Sequence, residues 1–500
     1  MQISVLSDAF SSGDWDTVNR LLDGHFETYL FTAPDLLDRI FDAAPEHWFE
    51  RHPRHLMSRA VAAAARRPVM LIDDHVQRRF SSWVESHRPP AVRDLLTMRA
   101  ANIRSLLTAG RYRDAAATAD EALELISTAQ DISGFRDVLP PVLILCGTAK
   151  LLTADLDTAI GIYSEALRWA TMHTEHPAAR YAREHLALAY SLAEQYQRAN
   201  ALLKGSGSEL DPPGTVRFHY QQPGPLARTL IDAGTASPNE QPVIELSAAV
   251  ASGPWWWVPV HANTITAITT GQQWSSITEI GHLLISDRVR SDPGSLAGAV
   301  LRADLASLHQ SLGDLRQAHR VLNRLGLSAD WSGVHVARAR QEWLQGRPEN
   351  TLTLLHDDEA GTSIPLWQQA GAAVLYAEAE LATGGSLSDH TLHATASAVN
   401  TSDARSCLTQ ASRALRDLLA PLLRKPADDI PIRFIPRPRP RLTRREREVL
   451  ESLTEHSTIP ELAHALHVSP NTIRTHLKAV YQKLGAHSRE EALWLARNTL

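Results

Sequence analysis

"SPNTIRTHLKAVYQKLG", residues 469–485, decides the fold at the carboxy-terminal end of this 500-residue chain. At ~100° per residue, Ile473, Leu477, Val480, Tyr481 and Leu484 fall on one stripe, the spacing of an amphipathic helix packed on a core. The opposite face holds Asn471, Arg474, Thr475, Lys478 and Gln482, two cations and three hydrogen-bonding groups with no carboxylate among them. Such a face invites an anionic partner. Ser469 before Pro470 is a helix start with proline at the first helical position, and Gly485 is the stop.

Working outward, three more helix starts carry a hydroxyl residue followed three later by Glu, the reciprocal capping box: Thr443 with Glu446, Thr458 with Glu461, and Ser488 with Glu491. The pattern predicts four short helices in about 58 residues. The second and third, about 459–466 and 470–484, are joined by "HVS", short enough to force a sharp crossing. That is a helix-turn-helix, whose second helix enters the major groove.

"LTRREREVLESL" followed by "TIPELAHALHVSPNTIRTHLKAVYQKLGAHSREEAL" resembles the LuxR-type (GerE-like) DNA-binding domain through nearly all of residues 441–497, and not in 1–423. The resemblance implies base-edge contacts at Arg474, Thr475 and Lys478, and phosphate contacts near Thr472. Asn471 and Gln482 are accessory candidates on the same face. It also implies a fourth helix, about 489–498, that pairs two protomers through Ala492, Leu493 and Leu495 on an inverted repeat. The chemistry agrees independently: Arg and Lys suit guanine O6 and N7, and a Thr methyl meets a thymine methyl. Glu448 with Arg489 reads as a structural ion pair, and His476 as a packed residue at the core's margin. From Arg433 to Arg447 seven arginines stand against one glutamate, either to follow phosphates or to solubilise a linker.

Residues 1–423 are Ala- and Leu-rich with helical periodicity, broken by a recurring turn: "GDWDTV" at 13, "GRYRDA" at 110, "ADLDTA" at 154, "EQYQRA" at 194, "GQQWSS" at 271, "GDLRQA" at 313 and "GRPENT" at 346. With Gly234 and Gly385 in the gaps, successive positions from Gly110 differ by 44, 40, 40, 37, 42, 33 and 39 residues, which is a repeat period. The reading is helical hairpins that bury their apolar faces by stacking, loosely similar to tetratricopeptide-like repeats. Ala154 and Glu194 stand where glycine is expected. The fold class is therefore all-α, a helical-repeat solenoid plus a carboxy-terminal four-helix domain. Residues 205–242, rich in Gly, Pro and Ser, predict a long loop or hinge, and 424–440 a Pro/Arg-rich linker to a DNA-binding domain at 441–500. Between two prolines, "WWW" (Trp255, Trp256, Trp257) predicts rings that cannot all face one core, with packing favoured over a ligand groove.

A net charge of −6 argues against a polyanion-binding surface over the whole chain, so such a surface is local. Two distant cysteines, Cys146 and Cys407, exclude a disulfide scaffold and a four-cysteine zinc site. No cationic leader and no uncharged apolar run of about 18 residues is present, which predicts a cytoplasmic protein. No GxxxxGK[ST], GxSxG or HExxH occurs. The expectation is a DNA-binding transcription regulator, not an enzyme, without metal or cofactor. Its effector, a protein, peptide or small molecule, is unknown and acts at the repeats. The alternative, a nucleotide-dependent ATPase-type regulator, lacks its phosphate loop.

Overall fold

A computed structural model describes residues 2–65, 73–86, 89–132, 134–172, 176, 178–204, 223–235, 253–287, 291–325, 331–356, 369–436, 442–456, 458–484, 489 and 492–493. Among them all regular structure is helical, and no described helix is long and apolar enough to cross a membrane.

The hairpins form because the turn is the same backbone device each time. Gly13, Gly110, Gly271, Gly313 and Gly346 adopt left-handed φ of 72–90°, and Ala154 (69°) and Glu194 (57°) do so without being glycine. At all seven turns the next residue's N–H donates to the carbonyl five residues back, for instance Arg111 to Leu106 (2.9 Å) and Gln195 to Tyr190 (2.8 Å). This closes the last helical turn in the Schellman manner. Asp14, Asp155 and Asp314 then cap the following helices by accepting from Thr17, Thr158 and Gln317 N–H groups. At four of the turns the residue five positions on is a fully buried alanine, Ala115, Ala159, Ala199 and Ala318.

Stacking follows chain order, with Leu139–Leu152 on Leu156–Thr171, then Ala178–Leu192, and so on to Ala370–Gly384 and Asp389–Ser402. The end of the stack returns to its middle. The 3-10 helix Arg405–Gln410 packs on Pro223–Thr235 and Val258–Thr270, and Asp389–Ser402 meets Tyr196–Lys204. One large hydrophobic core runs through most of it, a small separate cluster joins Met57, Ala64, Phe80, Val84 and Ala101, and residues 442–493 have a core of their own.

Four expectations need correcting. Within 205–242, Pro223–Thr235 is a packed helix with Leu226, Ala227 and Leu230 buried, because its apolar spacing finds neighbours that local Gly/Pro content does not reveal; the rest of that stretch lies outside the described residues. Gly234 is no turn: it sits in that helix, where a Cβ would be 2.2 Å from the Tyr196 ring, so it permits close approach. All three tryptophans, carried on one turn, are buried in one core, Trp257 completely. Finally, residues 427–434 of the expected linker are a strap lying on the helical region. Ala427, Ile430 and Phe434 are buried there, Arg416 donates to the Ala427 carbonyl (3.2 Å), and Arg433 N–H donates to the Thr409 carbonyl (2.8 Å). The PRPRPR portion from residue 437 lies outside the described residues.

Candidate nucleic-acid interface

Three described helices, Arg444–Ser452, Ile459–Ala465 and Pro470–Leu484, surround a small core of Leu442, Val449, Leu450, Leu453, Leu462, Ala463, Ile473, Leu477 and Val480. Both described capping boxes are closed. Thr443 Oγ1 accepts from Glu446 N–H (3.3 Å) and Glu446 from Thr443 N–H (2.6 Å); Thr458 and Glu461 exchange the same bonds at 3.4 and 3.1 Å. Each satisfies backbone donors that a helix start leaves open. The Ser488–Glu491 box lies outside the described residues.

The second helix ends at Leu466, and His467 takes a left-handed φ of 51° to turn the chain. Ser469 Oγ then accepts from Thr472 N–H (3.1 Å) and starts the third helix. The crossing is sharp because only two residues, His467 and Val468, separate the two helices' caps.

On the third helix Ile473 and Val480 are fully buried, while Asn471, Arg474, Thr475 and Lys478 are exposed together. Arg474 donates to Asn471 Oδ1 (3.2 Å), and Thr475 Oγ1 donates to the Asn471 carbonyl (3.0 Å). Neither cation has a carboxylate in contact among the described residues, so both charges face solvent uncompensated. Thr472 is half-buried, its hydroxyl 2.8 Å from that of Ser469, and His476 is half-buried as expected. The side chain of Gln482 and residue Leu495 lie outside the described residues.

One sequence expectation fails here. Ala492 is enclosed by its own domain (0% exposed), which removes it from any pairing surface; Leu493 packs partly on the same core. Glu448 takes Arg444 (3.1 Å) and Arg445 (2.5 Å) on its own helix. Arg489 donates to the carbonyls of Leu453 (2.6 Å) and His456 (2.7 Å), tying the last segment to the end of the first helix.

A contact that no local pattern signals fastens the recognition helix from the other side. Lys483 Nζ lies 2.6 Å from Glu446 Oε2, so one carboxylate serves both a cap and a bridge between helices. The Lys483 hydrogen bond, followed by the Thr443 N–H, holds the Glu446 carboxyl below its ordinary value. The rigid frame thus comes from caps and one bridge, while the exposed cations remain available.

Residues 440–496 match the family described as bacterial regulatory proteins, luxR family. Over 55 residues the chain is 44% identical to the spore germination protein GerE of Bacillus subtilis (strain 168), covering 74% of that protein and 11% of this one. It is also 40% identical over 79 residues to the probable transcriptional regulatory protein NarL of Mycobacterium tuberculosis (strain ATCC 25618 / H37Rv), 36% of that protein and 16% of this chain. Caps, crossing and exposed cation face agree with these likenesses, and the chain belongs to the luxR family of bacterial regulatory proteins, with a DNA-binding helix-turn-helix at its carboxy terminus.

Proposed function

We propose that this regulator acts in the cytoplasm as a two-fold pair on an inverted repeat in promoter DNA, with helix Pro470–Leu484 in the major groove. Arg474, Thr475 and Lys478 read base edges; Asn471, Thr472 and Gln482 meet the backbone or assist. Pairing runs through the segment after Arg489, by Leu493 and Leu495. The helical region receives the signal and passes it on without nucleotide hydrolysis. The observation that carries this reading is a polar helix face exposing two cations and no acid, on a helix whose other face is locked into a core. A cationic face of that kind is attracted to the dense phosphate charge of duplex DNA.

A binding titration at fixed salt against a site selected by the full chain tests it. Arg474→Ala and Lys478→Ala should each cost about 1–3 kcal/mol on that site and relax discrimination at one base pair. Folding should be unaffected, because neither side chain touches the core. Unchanged affinity in both variants overturns the base-reading roles, and a footprint covering a single half-site at saturation overturns the pairing.

A further inference from the structure

The helical region contains a cleft whose lining is charged where a repeat stack has no packing reason to be. It encloses about 120 Å³ and is partly open to solvent. Its walls include Glu194, His261, Asp304, Trp331, Arg340 and Phe434, which come from four hairpins and from the strap.

Glu194 occupies the turn position that glycine holds elsewhere, at a left-handed φ of 57°. That backbone costs a non-glycine residue about 1–2 kcal/mol, so a packing role alone would favour glycine. Its side chain is accessible, and what it reaches is this cleft. Enclosure by protein pushes the carboxyl up, against the pull of His261, of Arg340 and of the Gly371 N–H. No cation forms an ion pair with it among the described residues.

Arg340 is the complementary anomaly. Its guanidinium donates to Gln410 Oε1 (3.0 Å), Ser307 Oγ (3.0 Å) and Gln310 Oε1 (3.3 Å), all neutral, and stands 4.5 Å from the Phe434 ring centre. Desolvation draws it down to about 10. The buried indole N–H of Trp331 has no acceptor among the described residues. His261 and Asp304, by contrast, are paired at 2.9 Å and need nothing. The cleft therefore offers a carboxylate and a guanidinium, neither in an ion pair, beside an indole N–H without an acceptor. Glu194 and Arg340 are close enough to influence each other's protonation, yet they form no ion pair.

We propose that this cleft is the effector site, and that its ligand is a small zwitterion of the amino-carboxylate type. Its ammonium meets Glu194, its carboxylate meets Arg340 and Trp331, and its apolar body lies along Ile265 and Ile268. This rests on the reading of the helical region as the input. It adds a route for the output: Phe434 stacks on Arg340, and the next strap residue but two begins the tether to the DNA-binding domain. Arg433 also donates to the carbonyl of Thr269, a lining residue (3.1 Å). A ligand that recruits Arg340 thereby acts on the strap.

The full chain should be screened by thermal shift with the proteinogenic L-amino acids, and the best of them titrated by calorimetry beside its methyl ester and its deaminated acid. The zwitterion should raise the melting temperature, and each truncated analogue should bind at least tenfold more weakly. Glu194→Gly should melt no lower than wild type, since it relieves the turn, yet lose the ligand-dependent shift. Phe434→Ala should lose the ligand's effect on DNA affinity. No shift with any amino acid, or binding by Glu194→Gly equal to wild type, overturns the proposal. Calorimetry reads the cleft without DNA, so its failure leaves the DNA-binding reading intact; failure of the unliganded chain to select any DNA sequence would sink that reading and leave the cleft standing.

Discussion

The helical region and the carboxy-terminal domain reach order by opposite routes. In the carboxy-terminal domain the decisive bonds are local: each capping box spans three residues, and the crossing is made by one left-handed residue, His467. In the helical region the turns are equally local, but a hairpin alone leaves an apolar face uncovered, and burial comes only from neighbours in the stack. A small domain can thus keep a legible family sequence, while a repeat array tolerates drift wherever stacking is preserved. The family match follows that division, falling on residues 440–496.

The comparison breaks most readily at Trp257, which is fully buried in the large core. Trp257→Ala should cost the helical region about 3–5 kcal/mol by denaturant unfolding, while the unliganded protein keeps its affinity for DNA. Loss of DNA binding by a still-folded variant would show that the two regions are not separable. Next in size, Thr458→Ala removes a cap and should take about 1 kcal/mol from a fragment of residues 436–500, with the helical region unmoved. Smaller still, Ala154→Gly relieves a left-handed residue at φ 69° and should gain up to about 1 kcal/mol, offset in part by the freedom glycine regains on unfolding. At Gly271 the sign reverses: its φ is 90°, and a Cβ would stand 2.9 Å from the Arg433 guanidinium, so Gly271→Ala should loosen both the turn and the strap.

The smallest effect is a pH dependence. Glu446 has a folded-state pKa below its unfolded value, so its contribution is present above the unfolded value of 4.5 and is lost as pH falls through the folded one. Because Lys483 is 38% exposed, solvent screens the pair and the loss should be slight. Urea midpoints of the 436–500 fragment should fall below about pH 4.5, and Glu446→Gln should flatten that limb. A wild-type profile as flat as the variant's would remove the bridge from the frame.

The sequence by itself determined what depends on neighbours along the chain. The 470–484 helix, its two faces, the HVS crossing and two described capping boxes were all readable there, because propensity, caps and periodicity act within four residues. The repeat period was readable for the same reason, down to the observation that Ala154 and Glu194 replace glycine. Tertiary structure alone decided which side chains meet. Burial of the three tryptophans, the helix inside the expected hinge, Lys483 on Glu446, and Arg433 reaching Thr269 across 164 residues leave no periodic trace, since each partner lies on a separate element. Glu194 shows the division best. Its place at a glycine position was visible in the sequence, but only the curling of the stack brought it into a cleft with Arg340, because the closing contacts come from helices that are far apart in the chain.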